Sequence, residues 1–157
     1  MIKRFLLLLL ILIPLGGYLW YRQTPNQQVA RSVDQLVSNL EHRRISTRRP
    51  IDVADALKKV LAPTIKLGGV SPIPTEEMSI EDVIEQVALL HSLSNSCEIT
   101  EVDRSIQIVG TRAQVTQTST IEVAAGVNYR NKETWEVILD LEKGEDWRII
   151  GIRGRKM

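Results

Sequence analysis

The hydrophobic periodicity of this chain changes near Asn95, and this change constrains the fold more than any other feature of the sequence. Before it, apolar residues recur every three or four positions, as in amphipathic helices. After it, apolar and polar residues alternate, and Val, Ile and Thr are frequent, as in strands. At 157 residues the chain has the size of one domain. We therefore predict an α+β fold around a single core.

Three helices are predicted in the first half, each opened by a capping residue or a proline. The first begins at Thr24, the second after Pro50 with Asp52 as its cap, and the third after Ser79. Pro63 closes the second helix, because proline cannot continue a helix. The inward-facing stripes are Val29, Val33, Leu36, Val37 and Leu40; Val53, Leu57, Val60 and Leu61; and Ile80, Val83, Ile84, Val87, Leu90 and His91.

Four long strands are predicted in the second half, at residues 97–109, 112–125, 132–142 and 147–153. Their connections are short, so neighbouring strands are expected to be antiparallel. A fifth, short strand is possible around residues 65–67. The prediction is three helices packed on this sheet.

The N-terminal segment, residues 1–22, is predicted to be a membrane anchor. Its uncharged run, residues 5–21, would reach about 26 Å as a helix, close to the roughly 30 Å of a bilayer core. Basic residues precede the run and aromatic residues end it, as at the two boundaries of a membrane. The boundary residues are Lys3, Arg4, Tyr18, Trp20 and Tyr21.

The charge at the N-terminus predicts the orientation of this anchor. The positive-inside rule places the N-terminus in the cytoplasm and the domain, residues 23–157, on the extracytoplasmic (periplasmic) side of the inner or plasma membrane. Two alternatives remain, a cleaved secretory signal and a domain that faces the cytoplasm. A cleaved signal is disfavoured because Leu15 lies two positions before Gly17, where a small residue is wanted.

Composition excludes several classes of function. One cysteine and two histidines cannot build a disulfide framework or a structural zinc site, so no metal or cofactor is expected. The 20 basic and 19 acidic residues nearly balance, which argues against nucleic acid as a partner. The arginine-rich stretch at residues 42–49 is either a solvated loop or a contact for anionic lipid or an acidic partner.

Two segments carry a resemblance to a known fold. They are IQIVGTRAQVTQTSTIEV, residues 106–123, and ETWEVILDLEKGEDWRIIGI, residues 133–152. With the preceding order of helices, they resemble the nuclear transport factor 2-like (SnoaL-like, cystatin-like cone) superfamily over residues 26–153. The resemblance implies a curved sheet that forms a cone. Some families with this fold are enzymes with a buried carboxylate and a Tyr or His, and others only bind or scaffold.

His91 is the candidate general base, with Asp103 as the carboxylate that would assist it. The alternative is a helix-end histidine, which the helix dipole favours without any catalytic role. Gln117 and Ser119 share the predicted face of Val115, so either they point inward and line a ligand cavity with His91, or a bulge changes the register there.

Apolar residues are predicted on both faces of the sheet. Ile138, Ile150 and Ile152 alternate onto the face opposite Trp135 and Trp147. A protein partner or a homodimer mate would cover that face. The favoured function is therefore a membrane-tethered, non-enzymatic interaction module of the cell envelope. The alternative is an anchored protein that binds a small apolar ligand, or an isomerase-like or hydratase-like enzyme, in the cone interior.

Overall fold

The computed structural model describes residues 24–43, 49–69 and 76–157. The predicted anchor and most of the arginine-rich stretch lie outside these residues. Within the described ranges, none of the helices combines the length and apolar character that a membrane span requires.

The described residues contain the three predicted helices. They are α1 (Pro25–Leu40), α2 (Pro50–Val60) and α3 (Ile80–Leu93). The cap predicted for α3 is confirmed, because the Ser79 hydroxyl accepts a hydrogen bond from the backbone N–H of Asp82 at 3.2 Å.

The starts of the other two helices differ from the prediction. Thr24 precedes α1 but makes no side-chain capping hydrogen bond. In α2 the helix begins at Pro50, so Asp52 lies in the first turn instead of at the cap. There its carboxylate pairs with Arg49 at 3.2 Å, a position that the helix dipole favours for an acidic residue.

The described strands form one seven-stranded sheet in the order β1-β4-β5-β6-β7-β2-β3. The four long predicted strands are confirmed as β4 to β7, which pair antiparallel. The strands are β1 (His42–Arg43), β2 (Leu61–Gly69), β3 (Glu76–Ser79), β4 (Ser96–Val109), β5 (Arg112–Ala125), β6 (Tyr129–Lys143) and β7 (Trp147–Lys156).

The predicted strand count was wrong, because β1 and β3 were not expected and β2 is longer than the short strand proposed. The chain enters β2 directly after α2, so Leu61 is a strand residue and Pro63 does not end the helix. β2 pairs parallel with β7, and its register shifts between Leu61 and Lys66. Pro63 lies in this irregular stretch. Its lack of a backbone N–H therefore interrupts no regular row of hydrogen bonds between β2 and β7.

The core lies between the helices and one face of the sheet. Val29 of α1, Leu57 of α2, Val115 of β5 and Ile149 of β7 are fully buried in it. Register shifts in the β4–β5 and β6–β7 pairs mark bulges, which bend a sheet around what it covers. We call the helix-covered side the inner face and the opposite side the outer face.

Candidate functional site

A cavity of about 400 Å³ lies among the ends of the helices. Its apolar wall comes from α2 and α3, and its polar end comes from β1 with the residue before it, the last turn of α3 and the residues that follow α3. The apolar lining residues are Pro50, Val53, Ala54, Ile84, Val87 and Ala88; the polar ones are Glu41, His42, Arg43, His91, Ser92, Ser94 and Asn95.

Two histidine rings lie side by side in this cavity. The ring centroids of His42 and His91 are 4.6 Å apart, and the ring planes are tilted by 34°. Of the two, only His91 was predicted from the sequence pattern. His42 comes into reach because β1 pairs with β4, with His42 opposite Cys97, and no local pattern indicates a pairing over that separation.

Backbone carbonyls determine which ring nitrogen carries the proton. His91 Nε2 is 3.2 Å from the carbonyl oxygen of Leu40. His42 Nε2 is 3.0 Å from the carbonyl oxygen of Ser94, and equally close to its hydroxyl. A carbonyl oxygen only accepts hydrogen bonds, so both Nε2 atoms donate. In a neutral ring, each Nδ1 is then an acceptor.

The environment of His91 favours its neutral form. Burial lowers the pKa of the imidazole below its usual value, and the neighbouring His42 lowers it further. The hydrogen bond to Leu40 acts in the opposite direction but does not reverse the shift. The neutral form of His91 is therefore more favoured than that of a free imidazole.

A buried thiol lies beside the cavity. Cys97 is 3% exposed. Burial raises the pKa of the thiol, and the nearby Glu41 carboxylate raises it further. Because the thiolate is the reactive form, both effects disfavour nucleophilic reaction at Cys97.

The predicted pairing of His91 with Asp103 does not occur. His91 bonds a backbone carbonyl, whereas Asp103 is exposed at a bulge of β4. The neighbouring Arg104 instead bonds Asp34 of α1 at 2.8 Å. This Arg104 contact joins α1 to the sheet.

Gln117 and Ser119 point inward. Of the two alternatives, inward side chains or a bulge that changes the register of β5, the structure has the first. The β5–β6 register is unbroken along β5, and both side chains are buried. Gln117 Nε2 donates to Ser119 Oγ at 2.7 Å. Neither residue lines the cavity, so the structure does not bring them together with His91.

Only part of the predicted outer-face isoleucine set is on the outer face. Ile138 lies opposite Thr116 and Arg153 there. The β6–β7 register shifts beside Asp140, so Ile152 instead lies opposite Leu139 and packs against the core. The prediction for Ile152 assumed an unbroken alternation along β7, and this bulge interrupts it. Ile150, within the shifted stretch, is half-buried.

Ion pairs cover much of the outer face. Glu136 of β6 pairs with Arg155 of β7 at 2.7 Å, and Asp140 pairs with Arg153 at 2.9 Å. Ile138 lies between these two pairs along β6, so the outer face combines this apolar residue with ion pairs.

Comparison with known proteins gives matches at the level of structure. No family model matches the chain, and no curated protein matches its sequence. The S. rosetta CaMKII hub superposes with a TM-score of 0.67 at 13% identity, covering 85% of this chain and 98% of the hub chain.

Two further structures have the same architecture. An NTF2-like protein from Cytophaga hutchinsonii gives a TM-score of 0.65 at 11% identity, covering 86% of this chain and all of its own. A ketosteroid isomerase-like protein from Shewanella frigidimarina gives a TM-score of 0.60 at 14% identity, and the match covers 82% of this chain and 94% of that protein. At these identities the matches establish the fold: the chain has the nuclear transport factor 2-like fold.

Proposed function

We propose that the protein is a non-enzymatic association module, held at a membrane by residues 1–22, whose outer sheet face docks onto a second copy of the chain. One observation carries the proposal. The inner face is filled by packed apolar side chains, and its two buried polar groups on β5, Gln117 and Ser119, bond each other. This leaves the outer face as the extended surface available for function.

Charge complementarity favours a second copy as the occupant of the outer face. Carboxylates on β6 and guanidinium groups on β7 form adjacent rows around Ile138. A two-fold axis would bring the row of acids on one copy against the row of bases on the other, with Ile138 near the centre. The S. rosetta CaMKII hub, a named hub domain, has the same fold.

The alternative, an isomerase-like or hydratase-like enzyme in the cone, has less support. Such chemistry needs a tuned acid or base beside the substrate. Gln117 and Ser119, the inward-pointing groups predicted as ligand contacts, form a closed pair with each other. His91 lies in a different place, among the helix ends.

Self-association is tested on the full chain purified in detergent, by sedimentation with correction for bound detergent. We expect a dimer that Ile138→Glu weakens at least about thirtyfold, since a charge at the centre of an interface costs about 2 kcal/mol or more. Arg153 lies opposite Ile138 and tolerates this glutamate in the monomer. The control is Val109→Glu at the exposed end of β4.

Two results would overturn self-association. One is a wild-type chain that stays monomeric at about 100 μM. At that concentration, a dimer with a Kd in the low micromolar range would be largely formed. The other is an Ile138→Glu variant that dimerises as tightly as the wild type. In the first case, the outer face would belong to a different protein or to none.

Membrane tethering is tested by fusing alkaline phosphatase, which is active only outside the cytoplasm, to the C-terminus. We expect active reporter in the membrane fraction, because the positive-inside rule exports the domain. Deleting residues 1–22 is the control and abolishes export. Active reporter in the released fraction would indicate a cleaved signal, and inactive reporter at the membrane a cytoplasmic domain.

A further inference from the structure

We propose that the cavity among the helix ends binds a small, uncharged aromatic molecule that carries a single N–H or O–H donor. The cavity lies on the helix side of the sheet and includes no residue of the outer face. The inference is therefore independent of the proposed association, and each can fail without the other.

The size and wall of the cavity suit a small apolar molecule. Its volume of about 400 Å³ falls within the range of small-molecule sites, which are mostly apolar with a few placed polar groups. The wall combines side chains from two helices, Val53 of α2 and Ile84 and Val87 of α3 among them. An apolar ligand would complete the packing between these helices.

The polar end of the cavity offers acceptors. Both Nε2 atoms of His42 and His91 are occupied by backbone carbonyls. No partner is found for either Nδ1 atom within the part of the chain that the structure describes. A ligand with one donor can bond one of these two acceptors, whereas a ligand that only accepts can bond neither of them and would cover both.

The charged lining residues are already engaged. The Glu41 carboxylate accepts a hydrogen bond from the backbone N–H of Ile99 at 3.1 Å. Arg43 pairs with Glu98 at 3.1 Å. The two opposite charges are thus held by groups outside the cavity, so an uncharged ligand loses less solvation than an ion would.

The two imidazole rings favour an aromatic body. Aromatic rings pack against one another in offset or edge-on geometry, as these two imidazoles already do. A planar ring in the cavity would extend this contact. The apolar side of such a ring then faces the wall from α2 and α3.

The test uses indole, whose N–H only donates, and benzofuran, its isostere without that donor. The chain contains two histidines, so the full chain labelled with ¹⁵N-histidine gives two rings to follow by NMR. The spectra are recorded at pH 7.5, since the protonated and unprotonated nitrogens of a neutral imidazole have well-separated ¹⁵N resonances. We expect indole to shift the Nδ1 resonance of His91 or His42 on saturation. Benzofuran should bind at least about tenfold more weakly, the usual cost of one unpaired buried acceptor.

A pair of variants locates the site. Ala88→Phe fills the cavity from α3 and should weaken indole binding at least about tenfold. Leu89→Phe, the next residue, is the matched control, because Leu89 is exposed and does not line the cavity. Circular dichroism shows whether both variants keep the helix content of the wild type.

Several outcomes would overturn the proposal. They are indole that shifts neither Nδ1 resonance at millimolar concentration, benzofuran that binds as tightly as indole, and Leu89→Phe that weakens binding as much as Ala88→Phe. If Ala88→Phe unfolds the protein, the comparison of indole with benzofuran on the wild type decides alone.

Discussion

Leu57→Ala lowers the free energy of unfolding by about 2–5 kcal/mol, the range for removing a fully buried leucine from a packed core. Leu57 lies in the middle of α2, is completely shielded from solvent, and belongs to the main apolar cluster. The substitution keeps the helix propensity of α2, since alanine is the best helix former, so the loss reports packing alone. Equilibrium urea unfolding followed by circular dichroism measures it.

The control for this prediction lies on the same helix. Ile51 is 62% exposed, so Ile51→Ala should change the free energy of unfolding by less than about 0.5 kcal/mol. Equal losses for the two variants would contradict the inward orientation of the α2 stripe.

Trp147→Ala lowers the free energy of unfolding by about 3–5 kcal/mol, since it removes the largest side chain of the core. Trp147 is 2% exposed at the start of β7. Its backbone carbonyl accepts a hydrogen bond from the Ser32 hydroxyl at 2.9 Å. This hydrogen bond between α1 and β7 uses the backbone of residue 147, so replacing the side chain does not remove it.

Trp147→Phe separates the packing of this residue from its polar atom. The indole Nε1 of Trp147 is buried and finds no acceptor in the described part of the chain. Phenylalanine keeps most of the apolar contact and removes this unpartnered N–H, so the loss should be about 1 kcal/mol. The same urea experiment applies. A loss as large as that of Trp147→Ala would mean that the indole N–H stabilises the fold.

The helices and the four long strands were predictable because their signals are local. The stripe of α1, from Val29 to Leu40, repeats every three or four residues, and all its positions are buried or half-buried. In β5 the alternation through Ala113 and Val115 places them on the inner face. Both patterns depend on residues within four positions of each other.

The bulges were only partly predictable. Asp103 and Arg104 put two consecutive charged residues into the alternation of β4, which is a local signal, and the β4–β5 register shifts there. The bulge beside Asp140 was missed, and Ile152 was placed on the wrong face in consequence. A bulge adds one residue to a strand, and its position depends on the partner strand as well as on the strand that carries it.

The candidate site was less predictable than the fold. His91 was identified from its helix, but its neighbours were not, since His42 reaches it through a pairing of β1 with β4. The carbonyls that hold the two rings come from Leu40 and Ser94, at the ends of two different helices. Backbone groups have no sequence signature of their own, so these partners appear only in three dimensions.

By itself, the sequence determined the α+β class, the three helices, the antiparallel order of the four long strands and the inward stripes of the core. Only the tertiary structure decided the two unexpected strands β1 and β3, the parallel pairing of β2 with β7, the inward bond between Gln117 and Ser119, and the cavity that holds His42 and His91. The division has one physical cause. Helix stripes and strand alternation arise from neighbours along the chain, whereas sheet edges, bulges and cavities arise from contacts between segments far apart in sequence.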